Sequence, residues 1–421
     1  MGDNNETSER VPENTPWTGG WPPAPAASTR VANLRPSDLP MLAGRAALAA
    51  SITVAAAALA ACGSSAAPSD PTPENGASSP SDAARGSAAG AGAGAVAGEL
   101  PVVPEAWISA PVPAEPGTEH DIDSLAVWQT APGEAIVLVT AKQGDQIWVH
   151  DASTGELIRR VGGPGSGPGE FERPNGIAVV DDLAIVVERD NARLQVLRLP
   201  DFEHLGFAGE AELTRPYGIA AFASEQGIEV YITDNYETPD EQIPPVAELG
   251  RRVRHFRLHD RGDSVDAELV STFGDTAGDG ILHKVETIAV DPARNRLLVV
   301  DELETELAIR VYTLDGTYVG TMGAGIFAYE PEGIALFETA DGGGDWIATD
   351  QQSELSLFLV FDRDTLEYLG GFTGEVTANT DGVTLTQLPL EAFPEGAFYA
   401  VNDDATVTAF DWRDIARALG L

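Results

Sequence analysis

The chain writes one short phrase six times, and that repetition limits what it can fold into more than any other feature. Gly176-Ile177-Ala178 returns as "YGIAA" at 217–221 and "EGIAL" at 332–336, with looser copies "ETIAV" at 286–290, "DGVTL" at 381–385 and "DSLAV" at 123–127. A run of aliphatic and β-branched residues follows each copy, among them "AIVLVT" at 135–140, "LAIVVE" at 183–188 and "RLLVVD" at 296–301. A third, alternating run comes next, such as "QIWVHD" at 146–151, and turn residues lead to a fourth, such as "GELIRRVG" at 155–162. Short alternating runs separated by Gly, Asp and Asn are strands. Four strands repeated six times predict an all-β, six-bladed β-propeller over residues 99–421. That is long for one core, but all-β assemblies reach this size as a single domain. Helix is predicted only as a turn within "DWRDIARAL" at 411–419. The last blade is one strand short. The segment around Trp107 is expected to supply it, because that closure removes an open sheet edge.

Each phrase is then the innermost strand of a blade, where glycine allows close packing near the axis. The position just before the phrase holds Asp123, Asn175, Tyr217, Glu286, Glu332 and Asp381. In a propeller these six side chains converge at one mouth of the axial channel. Four unpaired carboxylates around one axis are too costly to bury unless some protonate or a cation joins them. The second strand of each blade ends at the same mouth, bringing Lys142, Arg189, Asp234, Asp301 with Glu302, Asp350, and Asn402 with Asp403. Oxygen donors without His or Cys clusters suit Ca²⁺ better than zinc or copper. Asp and Asn at strand ends also form turns, so each residue alone has two readings. The recurrence of acids at one blade position favours metal for the set. The expected ligands are Asp123, Glu286, Asp301, Glu302, Glu332, Asp381 and Asp403, holding Ca²⁺.

The start of the chain reads differently. Residues 1–40 are polar and rich in Pro, Ser, Asn and Thr, a composition expected to stay disordered, and the signal beginning at Met41 also suggests that they are an extension ahead of the true start. From Met41, Arg45 and the apolar stretch Ala46–Ala61 read as a signal peptide over 41–61, too short for a membrane-spanning helix. It ends in Leu59-Ala60-Ala61-Cys62, which resembles the lipobox of bacterial lipoproteins. Cys62, the only cysteine, is the expected lipidation site, and one cysteine excludes a disulfide within the chain. Residues 62–98 form an Ala/Gly/Ser/Pro tether. The expected location is exported and lipid-anchored on a bacterial membrane, at the outer membrane or cell surface. The anchor would be the only membrane contact, and the propeller is expected to be a monomer.

The net charge of −41 argues against nucleic acid as a partner, since that needs clustered Lys and Arg. There is no helix-borne His pair, no Gly-x-Ser-x-Gly and no phosphate-binding Gly-rich loop ending in Lys-Ser or Lys-Thr. Zinc protease, serine hydrolase and nucleotide-binding readings therefore lack support.

From about 120 to 403 the chain resembles the β-propeller phytases. "HDIDSLAVW" is similar to their opening aspartate-rich segment, "LVTAKQG" to their lysine-bearing turn, and "VVERDN" to their arginine position. "RPYGIA" resembles their tyrosine-glycine, "VETIAVD" and "EPEGIAL" their two glutamates, "VVDELE" their acidic pair, and "NTDGVTL" their Thr-Asp-Gly. The pattern departs at three places. A second family lysine expected near Asn235 is missing, the Ser-Gln-Gly turn reads Asp350-Gln351-Gln352, and Ile122 separates Asp121 from Asp123. The resemblance implies an enzyme, a 3-phytase-like phosphatase that uses several Ca²⁺ ions to hydrolyse a phosphorylated small molecule. It implies Glu286, Glu302, Lys142, Arg189 and Tyr217 as catalytic residues, with Lys142, Arg189 and Tyr217 on the substrate phosphate. "GGPGSGPGEFERPNGIAV" resembles an NHL repeat, and with the missing lysine it fits a non-enzymatic binding module. A calcium-dependent lactonase-like propeller would use the same axial carboxylates with less need for Lys and Arg. His255 and His259 alternate with apolar positions and read as surface residues. The insertion at 235–254 reads as a lid or a decorated loop.

Overall fold

The computed structural model describes residues 100–113, 120–303, 305 and 307–421. The extension, signal peptide, Cys62 and tether expected over 1–98 lie outside the described residues.

Among the described residues the chain forms six four-stranded antiparallel sheets. A short strand, β1 (Trp107–Ile108), comes first. The first blade is β2 (Ile122–Ala131), β3 (Glu134–Ala141), β4 (Gln146–Asp151) and β5 (Leu157–Gly162). The second is β6 (Pro174–Val180), β7 (Leu183–Glu188), β8 (Arg193–Arg198) and β9 (Glu203–Ala208). The third is β10 (Pro216–Ser224), β11 (Gly227–Asp234), β12 (Val253–Asp260) and β13 (Val265–Phe273). The fourth is β14 (Val285–Asp291), β15 (Arg296–Asp301), β16 (Ala308–Tyr312) and β17 (Tyr318–Met322). The fifth is β18 (Glu330–Glu338), β19 (Gly344–Gln351), β20 (Leu357–Asp362) and β21 (Tyr368–Thr373). The sixth is β22 (Val383–Thr386), β23 (Ala397–Asn402) and β24 (Thr406–Asp411), and β1 adds its fourth strand. Trp107 pairs with Ala409 and Ile108 with Thr408, so the ring closes with residues from both ends of the domain.

Burial explains the strand sequences. The second strand of each blade lies between neighbouring sheets and is mostly buried, with its polar residues gathered towards its ends: β7 is buried at every residue, and β3 at every residue but its first. Such a strand has no solvent face to alternate with. The outermost β5 alternates half-buried and exposed positions, as an edge strand with one covered face must. Phe358, Phe372, Phe398 and Phe410 pack edge to face between the fifth and sixth blades. Helix α1 (Trp412–Leu419) is two turns rather than the single turn expected. Asp411 caps it by accepting from Arg413 N, and Trp412 stacks on Phe337 at 3.7 Å.

His255 is not a surface residue. It is buried, stacked on Tyr231 at 4.1 Å, and its Nε2 lies 2.6 Å from Glu229 Oε2. It sits on the third strand, directly opposite Tyr231, and Tyr231 and Glu229 of β11 cover its ring. The 235–254 insertion rises from the mouth end of β11. Within it the Tyr236 hydroxyl donates to Glu248 O at 2.6 Å and Arg252 donates to Tyr236 O at 2.7 Å.

Candidate functional site

The six positions before the phrase meet because of a repeated backbone irregularity. In the first five blades the pairing of the innermost strand slips just there, between Ile122 and Leu125, Pro174 and Ile177, Pro216 and Ile219, Val285 and Ile288, and Pro331 and Ile334. Such a bulge re-aims the extra residue out of the regular alternation. The phrase glycine serves the same ring. A Cβ on Gly218 would lie 2.2 Å from the Glu286 carbonyl oxygen, and one on Gly382 would lie 2.3 Å from that of Asp123. Gly333 N donates to Asp381 O at 2.8 Å. Each glycine thus lets the next blade's mouth residue approach. Where the first and third blades carry Thr on their second strands, Thr140 and Thr233 donate to Asn175 O and Glu286 O, each at 2.6 Å. Behind the mouth a cavity of about 260 Å³ follows the axis, walled by these glycines and the phrase's aliphatic residues.

The mouth has an aspartate half and a glutamate half. In the first, Lys142 Nζ lies 2.9 Å from Asp123 Oδ2, 3.1 Å from Asp121 Oδ1 and 3.2 Å from Asp381 Oδ2. Tyr217 donates to Asp123 Oδ2 at 3.3 Å, and Gln351 donates to Asp381. Asp121, Asp381 and Asp404 bring carboxylate oxygens within 4.8 Å of one another. Burial pulls the Lys142 pKa down, but Asp123, Tyr217, Asp381 and Asp121 push it well above the usual lysine range. Burial, opposed by Lys142 and aided by Asp123, lifts Asp381 to about 8. Burial also lifts Asp404 to about 6. Asn175 is fully buried at the next ring position, and neither its Oδ1 nor its Nδ2 has a partner.

In the second half Glu286, Glu302 and Glu332 bring oxygens within 4.8 Å of one another. Lys284 Nζ lies 2.6 Å from Glu302, 3.5 Å from Glu330 and 3.7 Å from Glu286. Glu302 is buried, and its Oε1 has no partner. Burial first, then Glu286, raises Glu302 far above the carboxylate range, and burial with Glu302, Asp381 and Glu286 does the same to Glu332. Asp381 acts on Glu332 and Glu286 acts on Asp381, so the two halves share one field.

Of the residues named from sequence, Asp123, Lys142, Tyr217 and Asp381 come together in the first half, and Glu286, Glu302 and Glu332 in the second. Asp301, Asp234, Asp350, Asp403 and Arg189 do not join either cluster. Asp301 accepts the N–H groups of His283, Lys284 and Leu303, which fastens the loop entering the fourth blade. Asp234 and Asp350 fasten the third and fifth blades in the same way, through Arg215 N and through Ala328 N and Tyr329 N. Asp403 is an exposed turn residue at φ +51°, and its neighbour Asp404 joins the cluster instead. Arg189 pairs with Asp190 at 2.7 Å, while Arg173 reaches Asp121 at 3.9 Å. The sequence reading missed Asp121, Lys284, Glu330 and Asp404. The first three sit two residues ahead of the ring positions 123, 286 and 332. That constant offset is a signal that was there to be read, whereas the choice of Asp404 over Asp403 depends on the turn.

The chain is thus a six-bladed β-propeller with an acidic mouth that holds two lysines. No protein-family model matches it, and no curated protein does. Among solved structures it is similar to the Kuenenia stuttgartiensis hydrazine synthase, at 12% identity and TM-score 0.38, over 68% of this chain and 77% of that one. It is also similar to a chain of the nidogen/laminin complex, at 13% identity and TM-score 0.39, over 62% and 82%. Neither likeness bears on function.

Proposed function

We propose that the mouth is a calcium-dependent phosphomonoester hydrolase site for phytate or a similarly polyphosphorylated small molecule. The observation that carries this reading is the pair of carboxylate clusters in one mouth, one with a buried glutamate oxygen that nothing satisfies. The donors fit a hard divalent cation, since they are all oxygen and too many to be neutralised by the lysines present. The β-propeller phytase resemblance supports the same choice. Asp121, Asp381 and Asp404 would hold one ion, and Glu286, Glu302 and Glu332 another. Bound calcium supplies Lewis acidity and positive charge against phosphate oxygens.

The chain's own groups do the remainder. Lys142, Lys284 and Tyr217 donate charge-assisted hydrogen bonds to the phosphate, and Arg189 adds a further contact from the rim. Glu286 and Glu302 orient the attacking water and take its proton. Water oxygen bonds to phosphorus, the ester P–O bond breaks, and the leaving alkoxide takes up a proton. Without cations the strongly acidic protein would repel such a substrate.

Phosphate release from calcium phytate by the purified protein, with and without chelator, tests the reading. Release that needs calcium and is lost in Glu332→Gln supports it. Stabilisation by calcium without release would leave the mouth a calcium-held scaffold, as in the binding-module alternative. Export with a lipid on Cys62 is part of the proposal and rests on the lipobox-like stretch. Mass spectrometry of the mature N-terminal peptide tests it, and an unmodified Cys62 would refute it.

A further inference from the structure

The sequence contains two lysines, Lys142 and Lys284, among 25 Lys and Arg. Both stand in the mouth, one in each carboxylate cluster. Elsewhere among the described residues, the ion pairs are made by arginine and histidine. The two cations differ in a way that matters here. Arginine grips carboxylate with a rigid, bidentate fork, whereas an ammonium is a compact charge on a flexible stem. The chain uses the first to fasten its blades: Arg254 binds Asp234, and Arg363 binds Asp291 through two bonds. It places the second only where oxygen ligands gather.

The charges do not balance. Lys142 faces Asp121, Asp123 and Asp381, with Asp404 beside them. Lys284 faces Glu286, Glu302 and Glu330, with Glu332 beside them. One monovalent cation cannot neutralise either group, and Glu302 Oε1 and the Asn175 amide remain buried and unpartnered. We infer that Lys142 and Lys284 are built-in counter-ions, which hold the two clusters in the metal-free protein and yield them to a divalent cation. The freed ammoniums then become the mouth's receptors for an anionic ligand such as phosphate. The inference rests on the proposed metal site but not on any turnover.

Two lysines make the test clean. The full-length protein is labelled with an amine-reactive acetyl ester in chelator, in excess Ca²⁺, and in Ca²⁺ plus inorganic phosphate, and the peptides are quantified by mass spectrometry. The N-terminal amine serves as the internal standard. Labelling at Lys142 and Lys284 is expected to rise about tenfold with Ca²⁺, fall back when phosphate is added, and leave the standard unchanged. Calorimetric Ca²⁺ binding to wild type with unchanged lysine labelling would overturn the exchange and leave the metal site standing. No Ca²⁺ binding to wild type would overturn the metal site itself, and the exchange with it. Substitution gives an independent readout. Lys284→Met and Lys142→Met should bind Ca²⁺ about tenfold more tightly than wild type, and Lys284→Arg more weakly. Equal or weaker binding by the Met variants would refute the competition. If Lys142→Met does not fold, Lys284→Met and the wild-type labelling still decide.

Discussion

Lys142 and Lys284 sit among similar numbers of carboxylates, yet the side chain of Lys142 is 8% exposed and that of Lys284 is 37% exposed. In the aspartate half the lysine is the hub. Its three partners lie within a narrow range of distances, and Tyr217 and Gln351 complete the network. In the glutamate half the lysine stands at the rim, close to Glu302 alone, and Glu332 and Glu302 repel each other below it. The same ring position has therefore produced a half held mainly by its own cation and a half that is short of one. Depth decides the difference, because a buried ammonium is screened by nothing but its partners.

The sharpest way to break this contrast is to remove each lysine without removing its bulk. In chelator, Lys142→Met should lose about 3 kcal/mol of unfolding free energy, as when a buried ion pair loses one partner. Lys284→Met should lose about 1 kcal/mol or less. Urea melts of the two variants check this, and equal losses would erase the distinction. Next comes a pair of isosteric changes with opposite signs. Asp123→Asn deprives Lys142 of its nearest partner and should cost about 2 kcal/mol in chelator. Glu302→Gln relieves crowded charge and should gain about 1 kcal/mol. In Ca²⁺ the gain should reverse.

A smaller effect is the pH dependence of the metal-free protein. Asp381, raised to about 8, and Asp404, raised to about 6, keep protons in the folded state that the unfolded chain has already released. The folded state then binds more protons, so stability falls as pH rises from about 4 towards 8. Melting temperature in chelator should drop between pH 5 and pH 8, and the increment on adding Ca²⁺ should widen over that interval. A melting temperature that rises across it would contradict the placement of Asp381. The least effect on stability belongs to Arg189→Ala, within about 0.5 kcal/mol, because its partner Asp190 is largely exposed. On the proposed hydrolysis of phytate, that variant should raise KM more than it lowers kcat.

Blade count, the innermost strands and closure by the Trp107 segment were all legible in the sequence, because a repeated phrase fixes both period and register. The ring residues were legible for the same reason: Asp123, Glu286, Glu332 and Asp381 share one offset. Strand-end acids were less so. Asp301 and Glu302 are neighbours of like charge, yet one faces backbone amides and the other the mouth, and only the pairing of Asp301 with Val285 decides which. Lys284 is less legible, because the same blade position holds Arg173 and Arg215 in other blades and so carries no recurring lysine.

The seam between β1 and β24 has a consequence for how the protein is made. Because two residues from the front of the domain complete its final sheet, a growing chain carries Trp107 and Ile108 unmatched until Thr408 and Ala409 have been synthesised. Five sheets can assemble in order, but the toroid cannot be shut early. Nor can the carboxylates of the first and sixth blades, which gather around Lys142, meet before that moment. The aspartate half of the mouth is therefore completed last, and the charges of the two halves come to bear on each other only when the ring is shut.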